Sequence, residues 1–152
     1  MVIYITCFTF VRMFSVNESL GYLLAMAAKK TSARFTQLMQ EQGIDIGHSG
    51  WIVLSRLWEE DGLSQQEISD RSGVAKPNIS TYCDKLEGEN YLVRVDDRTD
   101  RRNYRLFLTR KGRDLKSICQ QLAQQSNQET VRALSDAEKE TLLHLLAKLN
   151  RG

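Results

Sequence analysis

Proline is almost absent from this sequence: Pro77 is the single one in 152 residues. Glycine is sparse too, and no stretch is rich in Gly and Ser or in Pro. That excludes a flexible linker and a low-complexity tract, and no internal repeat is visible. The chain reads as one compact domain, or one domain with helical extensions. Cysteine is scarce and odd in number. Cys7, Cys83 and Cys119 lie far apart, with no CxxC and no His/Cys cluster. Neither a disulfide framework nor a metal site is indicated, and a reducing cytoplasm is the natural setting. The two histidines, His48 and His144, are isolated. No Ser/His/Asp or paired-carboxylate arrangement is legible, so the sequence offers nothing to an enzyme and implies no cofactor.

No apolar run is long enough for a membrane. Residues 2–11 (VIYITCFTFV) are uncharged, but a spanning helix takes about 20 residues. A basic leader and a small-residue cleavage site are both missing, so a secretory signal is not indicated. The β-branched and aromatic content suits a short strand or pairing arm. The alternative is a start placed too early, with Met13 opening the native chain. Residues 1–14 carry no functional weight in either case.

What is present is an ordinary globular balance, 41% hydrophobic and 26% charged, with a net charge of only +2. The distribution of charge says more than the total. From Arg94 to Lys116 there are nine basic residues against four acids, while the rest of the chain has 12 basic and 15 acidic. A basic segment on a mildly acidic body can engage a polyanion locally. By itself, such a run is more often a solvated face.

Hydrophobic spacing predicts a long helix over 17–42, stopped by Gly43, and a second over 48–60, ended by Asp61-Gly62. Ser64-Gln65-Gln66-Glu67 is a capping box that opens a short helix, which Ser72-Gly73 breaks. The next helix starts at Ala75-Lys76-Pro77, where proline is tolerated in a first turn, and Asn90 suits a left-handed position after it. Residues 91–96 and 103–109 have strand composition around the polar connection DRTDRR. Thr109 caps a helix of 18–20 residues, and Ser135-Asp136-Ala137-Glu138 is a second capping box before a leucine-dense last helix. The order is α-α-α-α-β-β-α-α: a mainly α chain with a small β-hairpin wing, or winged helix-turn-helix.

Two short helices joined by a glycine turn form the helix-turn-helix arrangement, whose second helix fits the major groove of DNA. Helical geometry turns Ile79, Tyr82 or Cys83, and Leu86 inward. It leaves Lys76, Asn78, Ser80, Thr81, Asp84 and Lys85 outside. Asn78 can pair with adenine, Ser80 and Thr81 can reach bases or phosphates, and Lys76 and Lys85 suit phosphates. Asp84 is a poor DNA contact. A helical hairpin with no DNA role would look similar. The hairpin tip separates the two, because Arg98, Arg101 and Arg102 on an exposed turn suit phosphates or a minor groove.

Residues 63–87 (LSQQEISDRSGVAKPNISTYCDKLE), the tip DDRTDRR and the LTRKG at 108–112 resemble the MarR family of bacterial regulators, over about residues 17–150. The resemblance implies a winged helix homodimer held by its first and last helices. It further implies a pseudo-palindromic operator, with binding weakened by a small ligand or by oxidation. Carried over by position, Lys76, Asn78, Ser80 and Thr81 face the groove, and Arg102 is the principal minor-groove arginine. Thr81 stands where the family often has a basic residue, Ser69 and Ser72 replace small or apolar ones, and Asn90 replaces a common glycine.

The expected division is a dimerisation helix in 15–44, the DNA-binding domain in 45–112 and dimerisation helices in 113–152. The terminal helices are too apolar to stay solvated, which supports a dimer independently of the resemblance. The expected partners are double-stranded DNA, a second copy and a small aromatic or apolar effector. Met26, Phe35, Met39, Trp51 and Trp58 are candidate lining for that effector; plain core packing is the alternative. Cys83 and Cys119 both fall on inward faces, which favours structural cysteines over oxidant sensors. The remaining alternative is a winged-helix protein-interaction module. The reading as a whole is a cytoplasmic, nucleoid-associated repressor.

Overall fold

Local signals start most of the helices. In the computed structural model, which describes residues 16–97 and 104–151, a single 3-10 turn at Val16–Glu18 leads into α1 (Leu20–Glu41). The Ser19 hydroxyl caps α1 by accepting from the Tyr22 N–H at 3.1 Å, which satisfies an otherwise orphaned donor. Only the second half of α1 is buried, through Phe35, Leu38 and Met39. Helix α2 (Gly47–Glu59) buries Gly50, Val53, Leu54 and Leu57, a three-to-four spacing that aims one stripe at the core.

Both capping boxes form. Ser64 accepts from the Glu67 N–H at 3.2 Å while the Glu67 carboxylate accepts from the Ser64 N–H at 2.7 Å, opening α3 (Gln65–Ser72). Ser135 and Glu138 do the same for α7 (Asp136–Leu149). Gly73 ends α3 at φ +69° and Asn90 follows α4 (Lys76–Gly88) at φ +61°. Both positions are left-handed.

The sheet has one more strand than the hairpin read from sequence. Strand β1 (Leu63–Ser64) pairs antiparallel with β3 (Tyr104–Leu108), which pairs in turn with β2 (Leu92–Asp96), giving the order β1-β3-β2. Two residues are too few to show a period of two, so β1 left no trace in the pattern. The β2–β3 register runs from Leu92 opposite Leu108 to Asp96 opposite Tyr104. Alternation turns Leu92, Leu106 and Leu108 inward, while Val93, Val95 and Phe107 stay exposed on the outer face.

The helix expected after Thr109 is divided at Leu115 into α5 (Arg110–Asp114) and α6 (Lys116–Thr130). The short piece is fixed to the sheet end by Thr109 and Gly112, whereas α6 runs against α1. One buried cluster joins α1 through α4, the sheet and α6; Leu54, Leu57, Leu63, Ile68, Ile79 and Leu106 are essentially inaccessible in it. Helix α7 contributes no buried residue to it. Among the described residues no helix is long and apolar enough to cross a membrane, and no cluster of His, Cys, Asp and Glu could hold a metal ion. The apolar segment 1–14 and Cys7 lie outside the described residues.

Candidate nucleic-acid interface

Helix α4 is seated through Ile79, Cys83 and Leu86, all buried. Its approach to α2 is close because position 50 is glycine. A Cβ there would stand 3.0 Å from the Ile46 Cβ and 3.2 Å from a Leu86 methyl. Lys76, Asn78, Thr81 and Lys85 are exposed on the outward side and Ser80 is half-buried at its margin. The five thus lie on the sides of α4 left outside the core, spread around the helix and not in a single row. The Thr81 hydroxyl donates to the Pro77 carbonyl at 3.2 Å, which engages its proton and leaves the oxygen as an acceptor. Lys85 Nζ is 3.4 Å from Asp45 in the loop before α2, an exposed pair worth little in water and easily exchanged for a phosphate.

Strand β2 of the wing runs beside α4, with β3 on its far side between β2 and β1. The tip arginines Arg98, Arg101 and Arg102 lie outside the described residues. The basic residues flanking the tip divide in a way charge counting cannot reveal. Arg94, on β2, turns back onto α4, where its guanidinium binds Asp84 at 2.5 Å and also Glu87. Burial alone would lower the Arg94 pKa, and the two carboxylates more than offset it, leaving the pKa raised. Arg105, on β3, binds Asp97 at 2.8 Å and the capping carboxylate of Glu67 at 2.8 Å. The hydrogen bond it donates to Asp97, then the charge of Glu67, hold its pKa up.

Further along, Lys111 lies 4.1 Å over the Tyr91 ring and donates to the Glu89 carbonyl. Arg113 donates to the Leu108 carbonyl at 2.7 Å, and Lys116 to the Trp58 carbonyl at 3.2 Å. Among the described residues of the basic segment, Arg94, Arg105, Lys111, Arg113 and Lys116 thus bond within the chain, while Arg110 stays exposed. The signal that could have hinted at this is the acidic side of α4, Asp84 and Glu87, but their partner comes from another element.

Of the candidate pocket residues, Phe35, Trp51 and Trp58 come together. The Phe35 and Trp51 rings meet edge-on at 5.1 Å, and Trp51 and Trp58 are 5.5 Å apart. Trp58 is tied down by donating to the Gly112 carbonyl at 2.9 Å. Met39 is wholly buried, while Met26 lies on the exposed half of α1, 48% accessible. Met26 borders a shallow groove with Ala27, Lys29, Lys30 and Ala33, not the aromatic cluster. Both described cysteines are buried, and burial pushes each thiol up to about 11, so neither carries much thiolate at neutral pH.

Residues 48–104 match the sequence model of the MarR family. The transcriptional regulator SarZ of Staphylococcus epidermidis is 24% identical over 109 residues, 72% of each chain. The solved structure of the transcriptional repressor CouR, bound to a 23-mer DNA duplex, superposes with a TM-score of 0.77. It is 28% identical and covers 92% of this chain and 98% of its own. Bordetella bronchiseptica BpsR, solved in connection with regulation of its DNA binding by 6-hydroxynicotinic acid, shares the fold with a TM-score of 0.81. It is 24% identical and covers 91% of this chain and 98% of its own.

Proposed function

Since the chain belongs to the MarR family of transcription regulators, we propose that it represses its target genes as a homodimer on a pseudo-palindromic operator. The observation that carries the reading is the exposed polar side of α4 with strand β2 of the β2–β3 pair packed beside that helix. In this reading Lys76 and Lys85 anchor phosphates, Asn78, Ser80 and Thr81 read base edges, and Arg98, Arg101 and Arg102 work at the adjacent minor groove. Residues 45–112 form the DNA-binding domain, with dimerisation helices in 15–44 and 113–152.

The dimer is supported by two unpartnered apolar rows. Leu20 is 61% accessible on α1 and Leu143 is 67% accessible on α7, far more than a solvated helix needs. Two-fold symmetry sets two copies of α4 about 34 Å apart, one DNA turn. A repressor role and relief by a small aromatic or apolar molecule are supported by the likeness to CouR and to BpsR, whose DNA binding is regulated by such a molecule. Relief by oxidation is disfavoured by the buried, high-pKa thiols of Cys83 and Cys119. The reading places the protein in the cytoplasm, on the nucleoid.

Selecting bound genomic fragments and titrating the binding against salt tests it. Affinity should fall steeply with salt, and Arg102→Ala should weaken binding to every duplex while lowering the log–log slope by about 0.9. Salt-insensitive or absent binding to all fragments overturns the proposal.

A further inference from the structure

The two strands of the wing are each tied to a different helix of the helix-turn-helix, in each case by one arginine. Arg94 leaves β2 for α4, where its guanidinium meets Asp84 at 2.5 Å and Glu87 alongside it. Glu87 also accepts the Arg94 backbone N–H at 3.2 Å, so this carboxylate holds both the strand and its side chain. Arg105 leaves β3 for the start of α3, where Nη1 meets Glu67 at 2.8 Å and reaches the Gly62 carbonyl at 3.3 Å. Its Nε binds Asp97 at the base of the tip at 2.8 Å. Glu67 belongs to the capping box, and the Ser64 N–H, then the Ser64 hydroxyl and Arg105, hold its pKa down.

We infer that Arg94 and Arg105 are positioning residues for DNA recognition: they set the angle of the wing against α3 and α4 and make no contact with DNA themselves. This rests on the DNA-binding reading above. A wing serves two grooves at once only if its tip is held at a fixed offset from the helix in the major groove. Strand β1 pairs with β3 only at Leu106 and Arg105, and beyond that point the two strands alone are too weakly held to supply it. Charge-assisted bonds to guanidinium have the directionality required, since the planar fork fixes orientation as well as distance. The Arg94 side chain is only 18% accessible and has its bonds already placed on carboxylates, which leaves it a poor phosphate ligand.

The test compares wild type with Arg94→Met and Arg105→Met in the full chain. The probes are a duplex selected from genomic fragments and a random duplex of equal length. The expected result is a loss of about tenfold or more on the selected duplex, with the random duplex little changed and the salt slope unaltered. Hydroxyl-radical footprints should lose protection in the flanking minor grooves while protection by α4 persists. Arg94→Lys should restore affinity only in part, because an ammonium cannot fork across two carboxylates. If Arg94→Met does not fold, Glu87→Gln removes the charge from the same tie and should shift the selected-to-random ratio and the footprint in the same direction.

A slope reduced by about 0.9 for either arginine would make that residue a phosphate contact and overturn the inference. Unchanged affinity and footprints on the selected duplex would overturn it as well. Absence of wild-type binding sinks the DNA reading together with this one; wild-type binding with indifferent variants sinks this one alone.

Discussion

Gly112 shows what a single residue can hold. A Cβ at this position would lie 2.1 Å from the Tyr91 carbonyl oxygen, and a backbone carbonyl cannot step aside as a flexible side-chain end does. Around it, Thr109 accepts the Gly112 N–H at 3.1 Å and donates to the Asn90 carbonyl at 2.7 Å. Trp58 donates to the Gly112 carbonyl from α2 at 2.9 Å. The short contact thus fastens the end of α2, the turn after α4 and the start of α5 at one point. Gly112→Ala should destabilise the fold by about 2 kcal/mol or more, the scale of forced overpacking. Urea unfolding with an unchanged m-value would measure it; a loss below about 0.5 kcal/mol would show that the turn yields easily.

At the scale of elements, α1 and α6 are coupled by a polar tie beside their apolar contact. Arg34 donates to Glu129 through Nε at 2.5 Å and through Nη2 at 3.2 Å. Beside it the buried Ser126 hydroxyl donates to the Thr31 carbonyl at 2.9 Å. The hydrogen bond from Arg34, then that from Gln125, lower the Glu129 pKa to about 2 from 4.5. The folded state therefore holds its carboxylate more firmly than the unfolded chain does. This contribution is present above pH 4.5 and is lost as pH falls toward 2. Glu129→Gln should flatten that stretch of the pH–stability curve and leave its neutral limb nearly parallel to wild type, as read from urea midpoints. A variant curve that still falls as steeply would locate the acid sensitivity elsewhere.

Elements also differ in how far the sequence discloses them. Ser64 with Glu67, Ser135 with Glu138, and the left-handed Asn90 were legible because capping is decided within a few residues. The inward stripe was legible at Ile79 and Leu86 from helical period, while the choice between Tyr82 and Cys83 is made by packing, which buries Cys83. Strand β1 escaped because it is defined only by Leu106 and Arg105, its partners across the sheet. The bracing roles of Arg94 and Arg105 escaped for the same reason. In the sequence both belong to a basic run; in space their nearest neighbours are Glu87, Asp84, Glu67 and Asp97. The outward residues of α4 were readable as a set, and their bonding state, such as Lys85 against Asp45, was not.

For the whole molecule the governing fact is the division between a packed half and an unpacked one. The cluster around Leu54, Ile68 and Leu106 is closed, while Leu20, Leu23 and Leu24 on α1 and Leu142, Leu143, Leu145 and Leu149 on α7 remain open. Burying one leucine is worth about 1.5–3 kcal/mol, so a polar substitution in this row should act on assembly before it acts on the core. Leu143→Asp is expected to shift the protein toward monomer in sedimentation velocity and to lower operator affinity in parallel, with the cluster around Ile68 intact by amide exchange. A variant as dimeric as wild type would remove α7 from the interface.

Among the described residues helix α7 buries no side chain, and on the proposed dimer that links its order to abundance. When its leucine row is covered only by a second copy, helix order, assembly and competence to bind DNA become a single equilibrium governed by protomer concentration. Occupancy of a gene's control site then scales with the square of the supply when protein is scarce. On the proposed dimer, halving the stock of protein removes more than half of the operator occupancy, which makes the rate of synthesis a regulatory input in its own right.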